Sequence, residues 1–301
     1  MKVLVTGASG FAGSVVARQL ALAGHAVTGL YRNRTRFLAT LDQVEGVTLA
    51  CCDLVAAGDL PDTFDAVVHT AATSPAPGID THRMVHDNVL GTKALIEAAE
   101  RWGTRAFIFY SSLSIYGTVT TPVVDDGTPI IDPDAYGSTK WLGELMLKDF
   151  ADRLPGLALR LPGLLGPGAH RNWLSSVAAK LIRREMIGAF HLDRPFNNSA
   201  HVADIAALAV RAVERPWTGF DAVVLGARGT LSVREAIERL AAGLGVPARL
   251  EEIPSAKSSF ILSSERAMSR WGYDPMEIGA LIDRYAAEAR AWPSQHRDRD
   301  K

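Results

Sequence analysis

Lys2-Val3-Leu4-Val5-Thr6-Gly7-Ala8-Ser9-Gly10-Phe11-Ala12-Gly13 opens the chain, and this stretch decides the fold. Lys2–Val5 is a short apolar run that predicts a buried strand. From Phe11 to Ala23 the chain is apolar and alanine-rich, which predicts a helix. The glycines between them recur as GxxGxxG, not as GxGxxG. Gly7 permits a tight turn, Gly10 lets the backbone approach a pyrophosphate, and Gly13 lets the helix pack close to the strand. The helix start turns free N–H groups and a partial positive charge toward such an anion. Ser9, Phe11 and Ala12 complete the loop that would hold it.

Outward from this turn, strand and helix patterns alternate. Further strands are predicted at Ala26–Tyr31, Val47–Cys51, Ala66–His69, Ala106–Tyr110 and Leu157–Leu161. Helices are predicted over Phe11–Ala23, about Arg83–Trp102 and Tyr136–Arg153, the last stopped by Leu154-Pro155-Gly156. Such alternation predicts an α/β fold: a doubly wound parallel sheet with right-handed crossovers. Beyond Leu161 the spacing is irregular, and helices are predicted at Trp173–Arg184, Val202–Val213, Ser232–Leu244 and Met276–Ala291. We expect a Rossmann-type dinucleotide domain over 1–160. A small, mainly helical substrate lobe would span 161–301, with about 202–225, including a strand at Asp221–Leu225, returning to the sheet.

Bulk properties exclude several classes. The chain has 301 residues, 48% hydrophobic, with a formal net charge of -1. That balance makes no electrostatic case for nucleic acid or a membrane surface. Cys51 and Cys52 are the only cysteines, and neighbours in sequence form no disulfide framework. No apolar run approaches the roughly 18 residues of a membrane span. A soluble, cytoplasmic protein is expected, with a charged, frayed tail at Gln295–Lys301.

Tyr136-Gly137-Ser138-Thr139-Lys140 carries the chemistry. On a helix, residues four apart share a face. A free tyrosine titrates near pH 10, so roughly one in a thousand is ionised at pH 7. A fixed ammonium nearby favours the phenolate, and lowering the phenol by about three pKa units takes about 4 kcal/mol. Tyr136 is thereby expected to be activated as a base by Lys140.

Together these motifs resemble the extended short-chain dehydrogenase/reductases, the NAD-dependent epimerase/dehydratase family. The pieces recur in the family's order: TGASGFAG, Asp53-Leu54, His69-Thr70-Ala71-Ala72, Asn88 with Gly91-Thr92, Ser111-Ser112 to Tyr116-Gly117, YGSTK, and LRLPGLLGPG. The resemblance implies that Asp53 and Leu54 contact an adenine. It implies that Ala71, Ala72 and Pro162 line the dinucleotide, and that Asn88 steadies the active-site helix or a water. It further implies Ser112 as the catalytic hydroxyl, four residues before Tyr116, with Ser111 and Ser114 as near competitors. Tyr136 would move a proton on or off a substrate oxygen, and Lys140 would also bond the nicotinamide ribose. A homodimer through the helix pair that contains Trp141 is implied as well.

Cofactor choice rests on the end of the second strand, Tyr31-Arg32-Asn33-Arg34, with Arg36 following. Tyr31 stands about where an NAD-type acid belongs, and Arg32 suits a phosphate fork. The expected cofactor is NAD(P), with NADP favoured.

The substrate is less legible. Dehydratases of the family carry an Asp-Glu pair where this chain has Leu113-Ser114, so an epimerase or a ketoreductase is expected. A non-catalytic NAD(P)-binding regulator is the rival class, opposed by Ser112, Tyr136 and Lys140 occurring together. Asn197 stands about where nucleotide-sugar members carry a diphosphate-binding arginine; Arg194, Arg171 or Arg266 are the possible substitutes. A nucleotide sugar, a free sugar, a sugar acid or a small carbonyl compound all remain open as substrate. His82 and His86 lack a third metal ligand at a recognisable spacing, so no metal is expected. His201 and the tryptophans Trp102, Trp141, Trp173 and Trp271 read as structural.

Overall fold

In the computed structural model, which describes residues 1–292, seven parallel strands form one sheet. The strands are β1 (Lys2–Thr6), β2 (Ala26–Tyr31), β3 (Val47–Cys51), β4 (Ala66–His69), β5 (Ala106–Ser112), β6 (Gly156–Leu161) and β7 (Phe220–Val224). Their spatial order is β7-β6-β5-β4-β1-β2-β3. The order reverses between β1 and β4, where an open α/β sheet forms a crevice at its carboxyl edge. The tail segment Gln295–Lys301 lies outside the described residues.

Apolar side chains alternate between the two sides of the sheet, so both faces are buried. Val3 and Val5 of β1 join one core and Leu4 the other. The first core includes Val16, Ala17 and Leu20 of α1 (Phe11–Leu22). It also takes Ile205, Leu208 and Ala209 of α2 (Val202–Glu214). The second includes Leu95 and Ile96 of α3 (Gly91–Arg101) and Leu147 of α4 (Ala135–Asp149).

Three further helices build the lobe over the carboxyl edge: α5 (Trp173–Ile182), α6 (Val233–Leu244) and α7 (Ile278–Ala291). Their core includes Leu174, Ile237, Leu240, Leu281 and Ile282. Phe220–Val224 returns to the sheet beside β6. A short helix at Glu265–Trp271, which the sequence pattern did not reveal, packs Trp271 at 4.9 Å against Trp217 on the first core.

The helix expected at Arg83–Trp102 is instead three pieces: Thr81–Met84, a π-helical turn at Val85–Leu90, and α3. The wide turn carries Asn88, buried behind the sheet edge. Its side chain accepts from Thr73 N (2.7 Å) and donates to Thr73 O (2.9 Å) and Thr139 Oγ1 (3.1 Å). A π-bulge at a functional segment is a common device. Here it ties the extension of β4 to α4.

A buried charge cluster fixes α4 to the sheet. Glu144 accepts from Ser111 Oγ (2.5 Å) and from Arg160 Nη2 (2.8 Å) and Nε (3.2 Å). Arg160 also donates to Tyr116 Oη (2.9 Å) and Asp126 O (3.1 Å). Removing one partner strands a buried charge, which costs several kcal/mol. We expect Arg160→Met to lower stability by about 3 kcal/mol in urea unfolding. Breaking the exposed Lys93–Glu97 pair by Lys93→Met should cost under about 1 kcal/mol. Equal losses would remove the cluster from its structural role.

Candidate active site

The glycine turn is built by close approach. Gly7 has φ +72°, and a Cβ there would lie 2.7 Å from the Ala71 nitrogen. A Cβ at Gly13 would lie 2.0 Å from the Gly7 carbonyl oxygen. Only glycines let β1, α1 and the end of β4 meet this tightly. No side chain caps α1, and its first turn holds no acidic residue, so its positive end is unopposed. This cradle fits a dinucleotide pyrophosphate.

Two of the pockets gather the residues expected at the site. The smaller, about 220 Å³, is lined by Gly7, Ser9, Tyr31, Arg32, Asp53, Leu54, Ala71 and Ala72, among others. All eight were expected to hold the cofactor. The larger, about 810 Å³, is lined by Ser112, Tyr136 and Pro162, under the lobe. Gly10, Ala12 and Gly13 lie in the turn itself. Phe11 lines neither of these two but a third pocket, about 890 Å³, beside Phe37 (5.8 Å) and His170 (6.2 Å). Asn88 and Lys140 line neither pocket; both are buried behind the wall.

Tyr136 and Ser112 share the larger cleft because α4 starts against the turn at Leu113–Tyr116. A Cβ at Gly137 would lie 2.1 Å from the Ser114 carbonyl oxygen. Asp134 caps the helix by accepting from Gly137 N at 2.7 Å. The Ser114 N–H donates to Ser112 Oγ at 3.1 Å. That leaves the Ser112 hydroxyl hydrogen available to donate into the cleft. Ser111 is spent on Glu144 and buried, whereas Ser114 lines the cleft.

Electrostatics corrects one expectation. The Tyr136 phenol is raised above its ordinary value, not lowered: burial is the main cause, the hydrogen bond with Ser74 offsets part, and the Asp134 carboxylate adds to it. The Lys140 ammonium stands 4.1 Å over the Phe109 ring, a cation–π contact. Burial pushes Lys140 down to about 7, with the Glu144 carboxylate opposing. Lys140 therefore keeps only part of its charge at neutral pH. His69, between Thr6 Oγ1 (2.7 Å) and Thr92 Oγ1 (2.8 Å), is fully buried and held well below its usual value, by burial first and then by Lys140.

Ser74 and Asp134 are site residues the sequence reading missed. The Asp before Ala135-Tyr136 is an N-cap signal that could have found the second. Trp173, read as structural, lines the cleft and packs edge-on to Phe196 at 5.1 Å. Asn197 is committed to structure: its amide donates to Leu262 O (2.9 Å) and its carbonyl accepts from Leu262 N (2.8 Å). Of the three candidate arginines, Arg171 lines the cleft, while Arg266 is paired with Asp221 at 2.8 Å. Among the described residues no cluster of three or more His, Cys, Asp or Glu is placed to hold a metal. Among them, too, no helix is long and apolar enough to cross a membrane. His201 accepts from Ala203 N (3.2 Å) at the start of α2 and bonds Glu288 of α7 (3.1 Å), joining lobe to sheet.

A parallel sheet with a glycine cradle at its reversal point defines a dinucleotide-binding enzyme fold. The model of the NAD dependent epimerase/dehydratase family matches residues 3–226, and the chain belongs to that family. It is 28% identical to a UDP-glucose 4-epimerase of Streptomyces lividans, over 98% of this chain and 97% of that protein. It is 33% identical to a D-erythronate dehydrogenase of Cupriavidus necator, over 62% of this chain and 63% of that protein. Among solved structures, UDP-glucuronic acid 4-epimerase from Bacillus cereus in complex with NAD superposes with a TM-score of 0.84 at 21% identity, covering 97% of this chain and 99% of that one.

Lys140 generates a pH prediction. In the unfolded chain its amine stays protonated up to about 10.5; in the folded protein it releases the proton near 7. Between those values the unfolded state binds the extra proton, so stability rises with pH. The burial cost is fully present below about pH 7 and is relieved toward pH 10. From pH 7 to 9.5, wild type should gain about 3 kcal/mol relative to Lys140→Met in urea unfolding. A difference that does not change with pH would contradict this placement.

Proposed function

We infer that the chain is an NAD(P)-dependent enzyme that oxidises and reduces a hydroxyl-bearing carbon of a sugar or nucleotide sugar, with 4-epimerase-type chemistry as the leading reading. The observation that carries it is Ser112 and Tyr136 lining one cleft at the sheet edge that also bears the glycine cradle. The residues around the smaller pocket would hold the adenosine, and the turn at Gly7–Gly13 the pyrophosphate. Bound there, the nicotinamide supplies reversible hydride exchange at the substrate carbon.

The chain's own groups supply the rest. Ser112 donates its hydroxyl hydrogen to the reacting oxygen and stabilises charge that develops on it. Tyr136, neutral through burial, begins as a proton donor, the state that reduction of a carbonyl needs. In the oxidative direction it must accept a proton. Lys140, one helical turn away and titrating near neutrality, is the charge that lets it do so. The cleft, about 810 Å³, leaves room for an oxidised sugar to present its second face, as epimerisation requires.

A second reading, oxidation of a sugar acid, has its own support. Asn197 is unavailable to a diphosphate, and Arg171 is a cation on the cleft wall suited to a carboxylate. The relative from Cupriavidus necator adds to it. We place the protein in the cytoplasm as a homodimer, with the exposed Leu142 and Leu145 of α4 as the contact face. A mass measurement in solution checks that assembly.

Purified protein should interconvert UDP-glucose and UDP-galactose without net change in nicotinamide absorbance. Net, stoichiometric NAD reduction with sugar acids would select the second reading. Tyr136→Phe should leave dinucleotide binding intact and lower turnover at least about a hundredfold. Near-normal turnover in that variant removes Tyr136 from its role.

A further inference from the structure

Arg32 does not face the smaller pocket as a lone cation. Its Nη1 donates to Asp87 Oδ2 at 3.0 Å and lies 3.9 Å from Asp53 Oδ2. Asp87 comes from the π-helical turn, 55 residues away in sequence. Its carboxylate is only 9% exposed. The same oxygen accepts from Thr73 Oγ1 (2.5 Å) and Arg83 Nε (2.8 Å), and the other oxygen bonds His86 Nδ1 (3.1 Å). These donors hold Asp87 well below the usual carboxylate range against the opposing effect of burial. The next arginine along is engaged as well: Arg34 pairs with Asp42 at 2.6 Å. The basic loop is thus matched, cation for anion, across space.

A 2′-phosphate brought to this wall meets two carboxylates, Asp53 and Asp87, with Arg32 already bound. To engage Arg32 it must draw that side chain off Asp87, which Thr73, Arg83 and His86 still hold as a carboxylate, so the phosphate is left facing like charge. A ribose hydroxyl carries no charge and can donate to a carboxylate. Resting on the dinucleotide reading above, we propose that Asp87, by holding Arg32, makes this site select NAD(H) over NADP(H). The arginine-rich strand end is then a clamp for Asp87, not a phosphate fork. This reverses the preference read from the sequence, which shows the arginines but not the carboxylate opposite them.

The test is binding of NADH and NADPH, each titrated by fluorescence against wild type, Asp87→Asn, Arg32→Gln and the double variant. Asp87→Asn keeps the shape and removes the charge. Wild type should bind NADH at least about tenfold more tightly than NADPH. In Asp87→Asn the preference should fall by about tenfold or more through tighter NADPH binding, most strongly at low salt, and adding Arg32→Gln should abolish that gain. In Arg32→Gln alone the ratio should stay within about threefold of wild type, which keeps the test decisive if Asp87→Asn does not fold. Tighter NADPH binding by wild type, an unchanged ratio in folded Asp87→Asn, or selective loss of NADPH affinity in Arg32→Gln each overturns the inference and leaves the dinucleotide reading standing. Failure of wild type to bind either nucleotide overturns both.

Discussion

The fit of Gly7 against the Ala71 backbone, and of Gly13 against the Gly7 carbonyl, is the constraint on which the site depends. A methyl group at either glycine would collide with main chain, at 2.7 Å or less. The closeness brings the start of α1 to the reversal point between β1 and β4 with its positive end uncapped. An anion there finds oriented N–H groups whose ordering cost folding has already met. The smaller pocket opens at the cradle itself, and the cleft that holds Ser112 and Tyr136 lies at the ends of β5 and β6.

Buried charge is the second theme. Glu144, Arg160, Lys140 and His69 all lie in low-dielectric surroundings behind the cleft. The first two satisfy each other and anchor α4 to β5 and β6. Lys140 is less well compensated: an aromatic face and a nearby carboxylate do not offset its burial. Its proton affinity is accordingly poised near neutrality, where a group that assists proton transfer is most useful. In the proposed function, the stability lost by burying Lys140 would be what tunes the site.

Much of this was legible in sequence. The six strand positions up to Leu161 and the glycine turn follow from period and punctuation, which are local signals. That Gly7, Ser9, Tyr31, Arg32, Asp53, Leu54, Ala71 and Ala72 meet in one pocket was legible from the turn, the strand ends and the resemblance together, because each lies at or just beyond the end of a parallel strand. What could not be read was long-range pairing. Nothing near Arg32 in the chain announces Asp87, and nothing near Tyr136 announces Ser74. Nor does the pattern at 81–102, amphipathic throughout, reveal the π-turn that aims Asp87 and Asn88 at their partners. The raised proton affinity of Tyr136 was hidden for the same kind of reason. Spacing on a helix gives proximity, but burial, a tertiary property, sets both proton affinities.

The most direct measurement is a crystal structure of the protein grown with NAD. The account predicts one extended dinucleotide, its pyrophosphate against the start of α1, its adenosine in the smaller pocket lined by Tyr31, Arg32 and Asp53, and its nicotinamide beside the Tyr136 phenol. A dinucleotide bound elsewhere, or a pyrophosphate that makes no contact with the Gly7–Gly13 turn, would contradict it.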